Sequence, residues 1–529
     1  MTSVNAINSE AENSTVERDL LRDTMFSMGR GTAITLFASL SYFIIAFISR
    51  VIILRLITVE EWGEFTLALS LIALFSMIAP LGMDASVARN LAFFGGERKE
   101  SIALNGLAAS AILGALFSLA IFSISPIIGR IFHESYLAFI IVIFSPALFF
   151  GIVTQMAASI ARGYRNTVAN ALFINLLPPT LFTLLSVLLY YSGQGFYGII
   201  LGNVIAAVVT SSLSLVYILR KKYVKFTGHL SASETRFLLL FGLPIMMVGF
   251  SSYFMLYADT LILGLFRDAA QVGYYSAALS LSKLSFIGIN ALGFIILPVA
   301  SGLISRNRRA ELNLLYKTIL KWNLVISVPI FLLFFSFPGA TLSIAFGSRY
   351  GKAAVALQIL ALGSFINSVI GPSSPSLAAT GKTRLVAFSG LLGAGGNILL
   401  CVALIPYFGF VGAAIASVSG SFIYRIFCLT FFAGENKLQP FTLNLLKPLI
   451  LSISVPIVLF AAFRPVLNIT TALIFLAGSF VFSIAAILLT ASLEESDIFI
   501  LEFIEHILKR RLRLVRSIGR AFITFGQKK

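Results

Sequence analysis

Five charged side chains sit inside runs of apolar residues where charge is expensive: Arg50, Asp84, Asp259, Lys283 and Arg425, with Arg89 close by. A charge at the centre of a hydrocarbon layer costs about 2.5–3.5 kcal/mol on insertion scales, so such groups normally face a bundle interior or a wet cavity. Lys283 lies about twelve residues into its run, too deep to reach a polar interface without strain, which favours a cavity cation waiting for an anion. Arg425 lies deep on the inner half of its run and is the second candidate, with Arg50 third. Arg50 and Asp259 occupy nearly equivalent places in two related segments, each towards the outer end of its helix, so they can pair when an outer mouth closes. The plainer readings are that Arg50 snorkels outward and that Asp259 has a structural partner. Asp84 lies on the inner half of its run and Arg89 at the inner interface. The chemistry available to this set is recognition of charge.

Other chemistry lacks residues. Ala379-Thr380-Gly381-Lys382-Thr383 imitates the end of a phosphate-binding loop, but Ser376 stands where the first glycine is required. His133, His229 and His506 are scattered, and Cys401 and Cys428 both lie in apolar runs, so neither a metal set nor a disulfide framework is expected. We expect a protein that is not an enzyme and uses no cofactor or metal, with energy supplied by a proton or sodium gradient or by the substrate's own gradient.

The elements that position these charges follow from composition. Of 529 residues 58% are hydrophobic and 12% charged, and the mean hydropathy is +0.95. Soluble domains carry about 25% charged residues, so the solvent for most of this chain is lipid. Requiring about 20 mostly apolar residues per crossing predicts an all-α polytopic membrane protein with about fourteen spans: 30–55, 62–88, 101–128, 136–160, 168–191, 195–219, 237–265, 271–301, 315–337, 353–378, 385–406, 409–432, 444–463 and 467–491.

Basic residues set the orientation. With the N-terminus inside, thirty of the 39 Lys and Arg fall in inside segments, including Lys317 and Lys321. Six fall outside: Arg55, Arg130, Arg267, Arg349, Lys352 and Arg464. This predicts a multi-pass protein of the cell (cytoplasmic) membrane with both termini cytoplasmic. It also removes nucleic acid as a partner, since the net charge of +17 is distributed by leaflet and not by patch.

The spans repeat. Gly63-x-Phe65-x-x-Ala68-Leu69-Ser70-Leu71 returns as Gly273-x-Tyr275-x-x-Ala278-Leu279-Ser280-Leu281, and Gly195-Phe196-Tyr197-Gly198 returns as Gly409-Phe410-Val411-Gly412. Similar offsets place 161–169 on 379–387. Equivalent hairpins start on the same side, which predicts two parallel six-helix bundles related about the membrane normal. The expected organisation is a cytosolic leader over 1–24, bundles over 25–219 and 237–433 joined by a basic loop over 220–236, two additional helices over 434–493, and a basic amphipathic tail over 494–529 lying on the inner leaflet.

These features, with Ala79-Pro80-Leu81-Gly82-Met83-Asp84-Ala85-Ser86-Val87-Ala88-Arg89 and Phe241-Gly242-Leu243-Pro244, resemble the polysaccharide-biosynthesis flippases of the multidrug/oligosaccharidyl-lipid/polysaccharide exporter (MATE-like) superfamily. The resemblance covers spans one to twelve. It implies two bundles in a V around a central cavity and a polyprenyl-diphosphate-linked oligosaccharide as cargo, moved from the inner to the outer leaflet by alternating access. It also implies cavity cations that meet the diphosphate, here Lys283, Arg425 and Arg50. Expected partners are the lipid-linked glycan, membrane lipids, a coupling ion and other polysaccharide-assembly proteins. Fourteen spans also suit the lipid-linked peptidoglycan-precursor flippases. An ion-coupled drug antiporter would favour embedded acids, and here bases outnumber acids. A membrane glycosyltransferase stands last, because the outer turns near 57–61 and 266–271 are too short for a catalytic loop.

Overall fold

The computed structural model describes residues 38, 39, 41–225, 230–286, 296, 300–304, 309–436, 443–463, 468–490 and 492. The leader over 1–24 and the amphipathic tail over 494–529 lie outside the described residues, as do parts of spans one and eight. Among the described residues the protein is all-α. The helices are α1 (residues 41–56), α2 (Val59–Ile78), α3 (Met83–Phe93), α4 (Gly96–Ile131), α5 (Ser135–Gly163), α6 (Thr167–Ala171), α7 (Leu177–Leu189), α8 (Gly195–Arg220), α9 (Ala232–Phe266) and α10 (Ala269–Ser282). They continue as α11 (Arg309–Ser336), α12 (Pro338–Phe346), α13 (Ala354–Ile370), α14 (Ser373–Ala379), α15 (Thr383–Asn436), α16 (Leu443–Phe463) and α17 (Ile469–Leu489).

Eight described stretches are long and apolar enough to cross a membrane. Two of them, Thr167–Arg220 and Thr383–Gly434, run 54 and 52 residues. At 1.5 Å per residue a straight helix of that length would reach roughly 80 Å, far beyond a hydrocarbon core of about 30 Å. Each therefore folds back, and it does so at a glycine the repeat had paired: Gly195 has φ 54° and ψ −136°, and Gly409 has φ 54° and ψ −133°. That left-handed φ is open to glycine at little cost. The repeat is thus reproduced in backbone angles.

The caps repeat too. Thr58 caps α2 in a reciprocal box with Glu61, and Asp268, 210 residues on, caps α10 by accepting from the Gln271 backbone N–H at 3.1 Å. In both halves the aromatic of the shared motif turns into its own bundle. Phe65 is fully buried between Trp62, Phe144 and Phe182, with ring centroids 5.5–5.8 Å away, and Tyr275 is fully buried in the second half. Two residues earlier, about 200° round the helix, the glycines of the motif face the other way, towards each other's half. A side chain on Gly63 would overlap the carbonyl of Ala269, and one on Gly273 the carbonyl of Val59. These two contacts are related by the same 210-residue offset.

Three expectations need correction. Span two, expected as one run over 62–88, is broken: α2 ends at Ile78, residues 79–82 form turns, and α3 starts at Met83. Pro80 supplies no N–H to a helix ladder, and Leu81 and Gly82 take φ 49° and 73°. Span ten, expected over 353–378, breaks at Gly371 (φ 77°) before Pro372, separating α13 from α14. Lys321, expected among the inside residues, lies well within α11 and is only 6% exposed, with its ammonium donating to the Ser492 carbonyl at 2.9 Å.

Candidate functional site

Three of the embedded charges, Arg50, Asp259 and Lys283, come from α1, α9 and the end of α10. Asp259 is on α9 and 1% exposed. Its carboxylate accepts from the Tyr275 hydroxyl on α10, and from the Thr260 backbone N–H at 2.7 Å and hydroxyl at 3.3 Å. Ser417 on α15 lies beside it. Lys283 is half-buried where α10 tightens into the 3-10 turn Lys283–Phe286, and it interacts electrostatically with both Arg50 and Asp259. Arg50, half-buried on α1, also lies within electrostatic reach of Tyr257 on α9. One cation thus comes from each half, beside a single carboxylate that neutral donors already hold.

The expected set divides at this point. Lys283 lies within electrostatic reach of both Arg50 and Asp259. Arg425 does not join them: it stands further along α15 among Tyr316, Tyr424 and Cys428. The Arg50–Asp259 ion pair is not formed in this conformer. Ion pairs among the described residues include Arg98–Glu234 at 3.2 Å and Lys225–Glu100 at 2.5 Å. Asp84, in the first turn of α3, accepts from the Gln155 side-chain amide at 3.0 Å. Arg89 is exposed, with its guanidinium 4.6 Å over the Phe241 ring.

Sequence reasoning passed over two groups. Glu64 is 7% exposed on α2, in the field of Glu60, Glu61 and Glu134. The signal was available, since Glu64 is an acid within the shared motif where the second copy has Tyr274. The second group closes the end of the molecule opposite the Arg98–Glu234 pair. Arg55 donates to the Ala345 carbonyl at 3.0 Å, and Arg349 donates back across the halves to the Ile57 carbonyl at 2.8 Å. Beside them the Glu134 carboxylate accepts from the Ala269 backbone N–H at 3.2 Å. The sequence places both arginines in outer turns and names no partner for them, because a backbone carbonyl acceptor leaves no trace in a sequence.

This arrangement sets charge between two halves of a helical membrane protein. The pattern of the polysaccharide biosynthesis protein family matches residues 28–304, and that of MatE matches residues 244–403. The chain is 24% identical over 424 residues to an uncharacterized membrane protein of Methanocaldococcus jannaschii, covering 75% of this chain and 82% of that protein. It is 28% identical over 165 residues to the probable low-salt glycan biosynthesis flippase Agl15 of Haloferax volcanii, covering 31% of this chain and 35% of that one. Its fold is similar to that of the lipid II flippase MurJ in an inward closed conformation, with a TM-score of 0.71 at 16% identity over 89% of this chain and 99% of the other. With more than half of its length inside the first pattern, the chain belongs to the polysaccharide biosynthesis protein family, among the flippases of the multidrug/oligosaccharidyl-lipid/polysaccharide exporter superfamily.

Proposed function

We propose that the protein flips a polyprenyl-diphosphate-linked oligosaccharide from the cytoplasmic to the outer leaflet by alternating access, with both termini cytoplasmic. One observation carries the reading: Arg50 and Lys283, one from each half, lie within electrostatic reach of each other, and Asp259, the acid that Lys283 feels among the described residues, is already held by Tyr275 and Thr260. A diphosphate in transit brings about two negative charges, each with a steep desolvation cost unless cations meet it. Arg50 offers a planar fork to one phosphate and Lys283 a point charge. Because the two cations belong to different halves, cargo that engages both also draws the halves together. Arg425 serves as a separate contact nearer the inner leaflet. The drive is a proton or sodium gradient or the cargo's own gradient.

A lipid-linked peptidoglycan precursor is the second reading, favoured by the fold similarity to a lipid II flippase. The same diphosphate chemistry serves both. The test is translocation in reconstituted vesicles, with a lipid-linked oligosaccharide and lipid II offered separately. Movement of the oligosaccharide supports the first reading, movement of lipid II alone the second, and movement of neither removes both.

A further inference from the structure

The halves touch backbone to backbone at two places, and glycine makes both contacts possible. At one end Gly63 and Gly273 cross, each against the carbonyl four residues before the other. At the basic end the broken turn of span two meets α9. A side chain on Gly82 would overlap the Gly242 carbonyl, and one on Gly242 would lie 2.6 Å from the Leu81 carbonyl oxygen. The two sequence motifs Ala79-Pro80-Leu81-Gly82 and Phe241-Gly242-Leu243-Pro244 are therefore opposite sides of one contact.

From Gly63 to its end at Ile78 α2 rises roughly 22 Å, most of a hydrocarbon core of about 30 Å, before the turn that carries Gly82. Lys283 follows Gly273 by ten residues, roughly 15 Å, which places the charge cluster between the two crossings. Polar contacts reinforce each end separately. Arg98–Glu234 and the bond from the Ser231 backbone N–H to the Asn105 side chain, at 2.9 Å, accompany the basic crossing. Arg55, Arg349 and Glu134 accompany the other.

We infer that the two crossings are the closing surfaces of the two membrane faces, Gly82–Gly242 for the basic face and Gly63–Gly273 for the opposite one. This rests on the alternating-access reading. Each contact exists only when its own face is shut, so a methyl group at one crossing penalises closure of that face alone. A methyl at Gly242 moves the population towards opening at the basic end, and one at Gly273 towards opening at the other.

The experiment measures spin-label distances on the full chain in lipid nanodiscs without cargo, with Cys401 and Cys428 replaced by alanine. One label pair sits at positions 191 and 407, exposed at the end of the Gly63 crossing, and the other at 165 and 382, exposed at the basic end. Gly273→Ala is expected to add a longer-distance population at 191–407 and leave 165–382 unchanged. Gly242→Ala is expected to do the reverse. If either variant, folded as judged by its melting temperature, leaves its own end unchanged, or if one widens both ends together, the inference is overturned. Should an alanine variant not fold, cross-linking Arg98→Cys to Glu234→Cys with a short thiol reagent pins the basic face. The long-distance population at 191–407 must then rise, and an unchanged distribution overturns the inference. Since no cargo is present, a failure of the flippase reading in vesicles leaves these outcomes legible.

Discussion

The hydroxyl of Tyr275 donates to the carboxylate of Asp259, tying α10 to α9 sixteen residues apart and near the centre of the bundle. Both residues are buried. In the first half Phe65 stands in the place of Tyr275 and has no hydroxyl to give. The polar version of the motif is therefore specific to the half that carries Asp259.

Tyr275→Phe leaves the carboxylate buried with one donor fewer. Loss of a hydrogen bond to a buried charged group costs about 1–3 kcal/mol, and removing both partners costs less than removing one. The Tyr275→Phe variant is expected to melt earlier in detergent, and the double variant Tyr275→Phe/Asp259→Asn to recover part of the loss. Strictly additive losses would mean that the two groups do not act as a pair.

Exchanging Arg50 and Asp259 is expected to restore nothing. A pair made across a shut mouth would survive exchange, but here Asp259 is held by Tyr275 and Thr260 while Arg50 lies within electrostatic reach of Lys283 and Tyr257. The exchange puts a guanidinium among hydroxyls beside Lys283. Transport by the exchanged variant is expected to be no better than that of Arg50→Ala or Asp259→Asn. Partial recovery would restore the gate pair as a feature of another conformer.

Much of the fold was legible because a bilayer imposes it. A crossing needs a run of apolar residues, and described helices lie at all fourteen expected spans, in part only at spans one and eight. The turns at Gly195 and Gly409 were legible as repeats and proved alike in φ and ψ. The break at 79–82 was not. Ala79-Pro80-Leu81-Gly82 is as apolar as a helix, and hydropathy carries no information on backbone direction. Neither were the contacts of Arg55 and Arg349, whose acceptors are carbonyls present at every residue. Of the site, depth in a span singled out the embedded charges, but depth alone does not say which face of the helix a charge is on. That is why Arg425 was grouped with Lys283 and stands instead among Tyr316 and Tyr424.

Orientation is tested by thiol labelling. Position 352, exposed beside the Gly63 crossing, is expected to react from outside, and positions 222 and 382, exposed at the basic end, only from inside. Position 350 is unsuitable, because Tyr350 is fully buried. Reaction of 222 from outside with 352 silent would invert every statement about inner and outer faces, while leaving the contacts between the halves intact.

Lys283 and Arg425 separate the cargo cluster from its surroundings. Lys283 lies within electrostatic reach of Arg50, and under the proposed function its ammonium is the group that meets the diphosphate. Lys283→Ala is expected to abolish translocation of a lipid-linked oligosaccharide in reconstituted vesicles, with the protein still inserted and its melting temperature close to that of the parent chain. Lys283→Arg keeps the charge in a different shape and is expected to retain part of the activity. Arg425→Ala is expected to weaken translocation less, since its guanidinium lies outside the cluster, beside the rings of Tyr316 and Tyr424. A loss of folding in Lys283→Ala would make the lysine a structural partner of Asp259. Full activity in a folded Lys283→Ala protein would mean that the diphosphate is met by other groups, with Arg50 the first to examine.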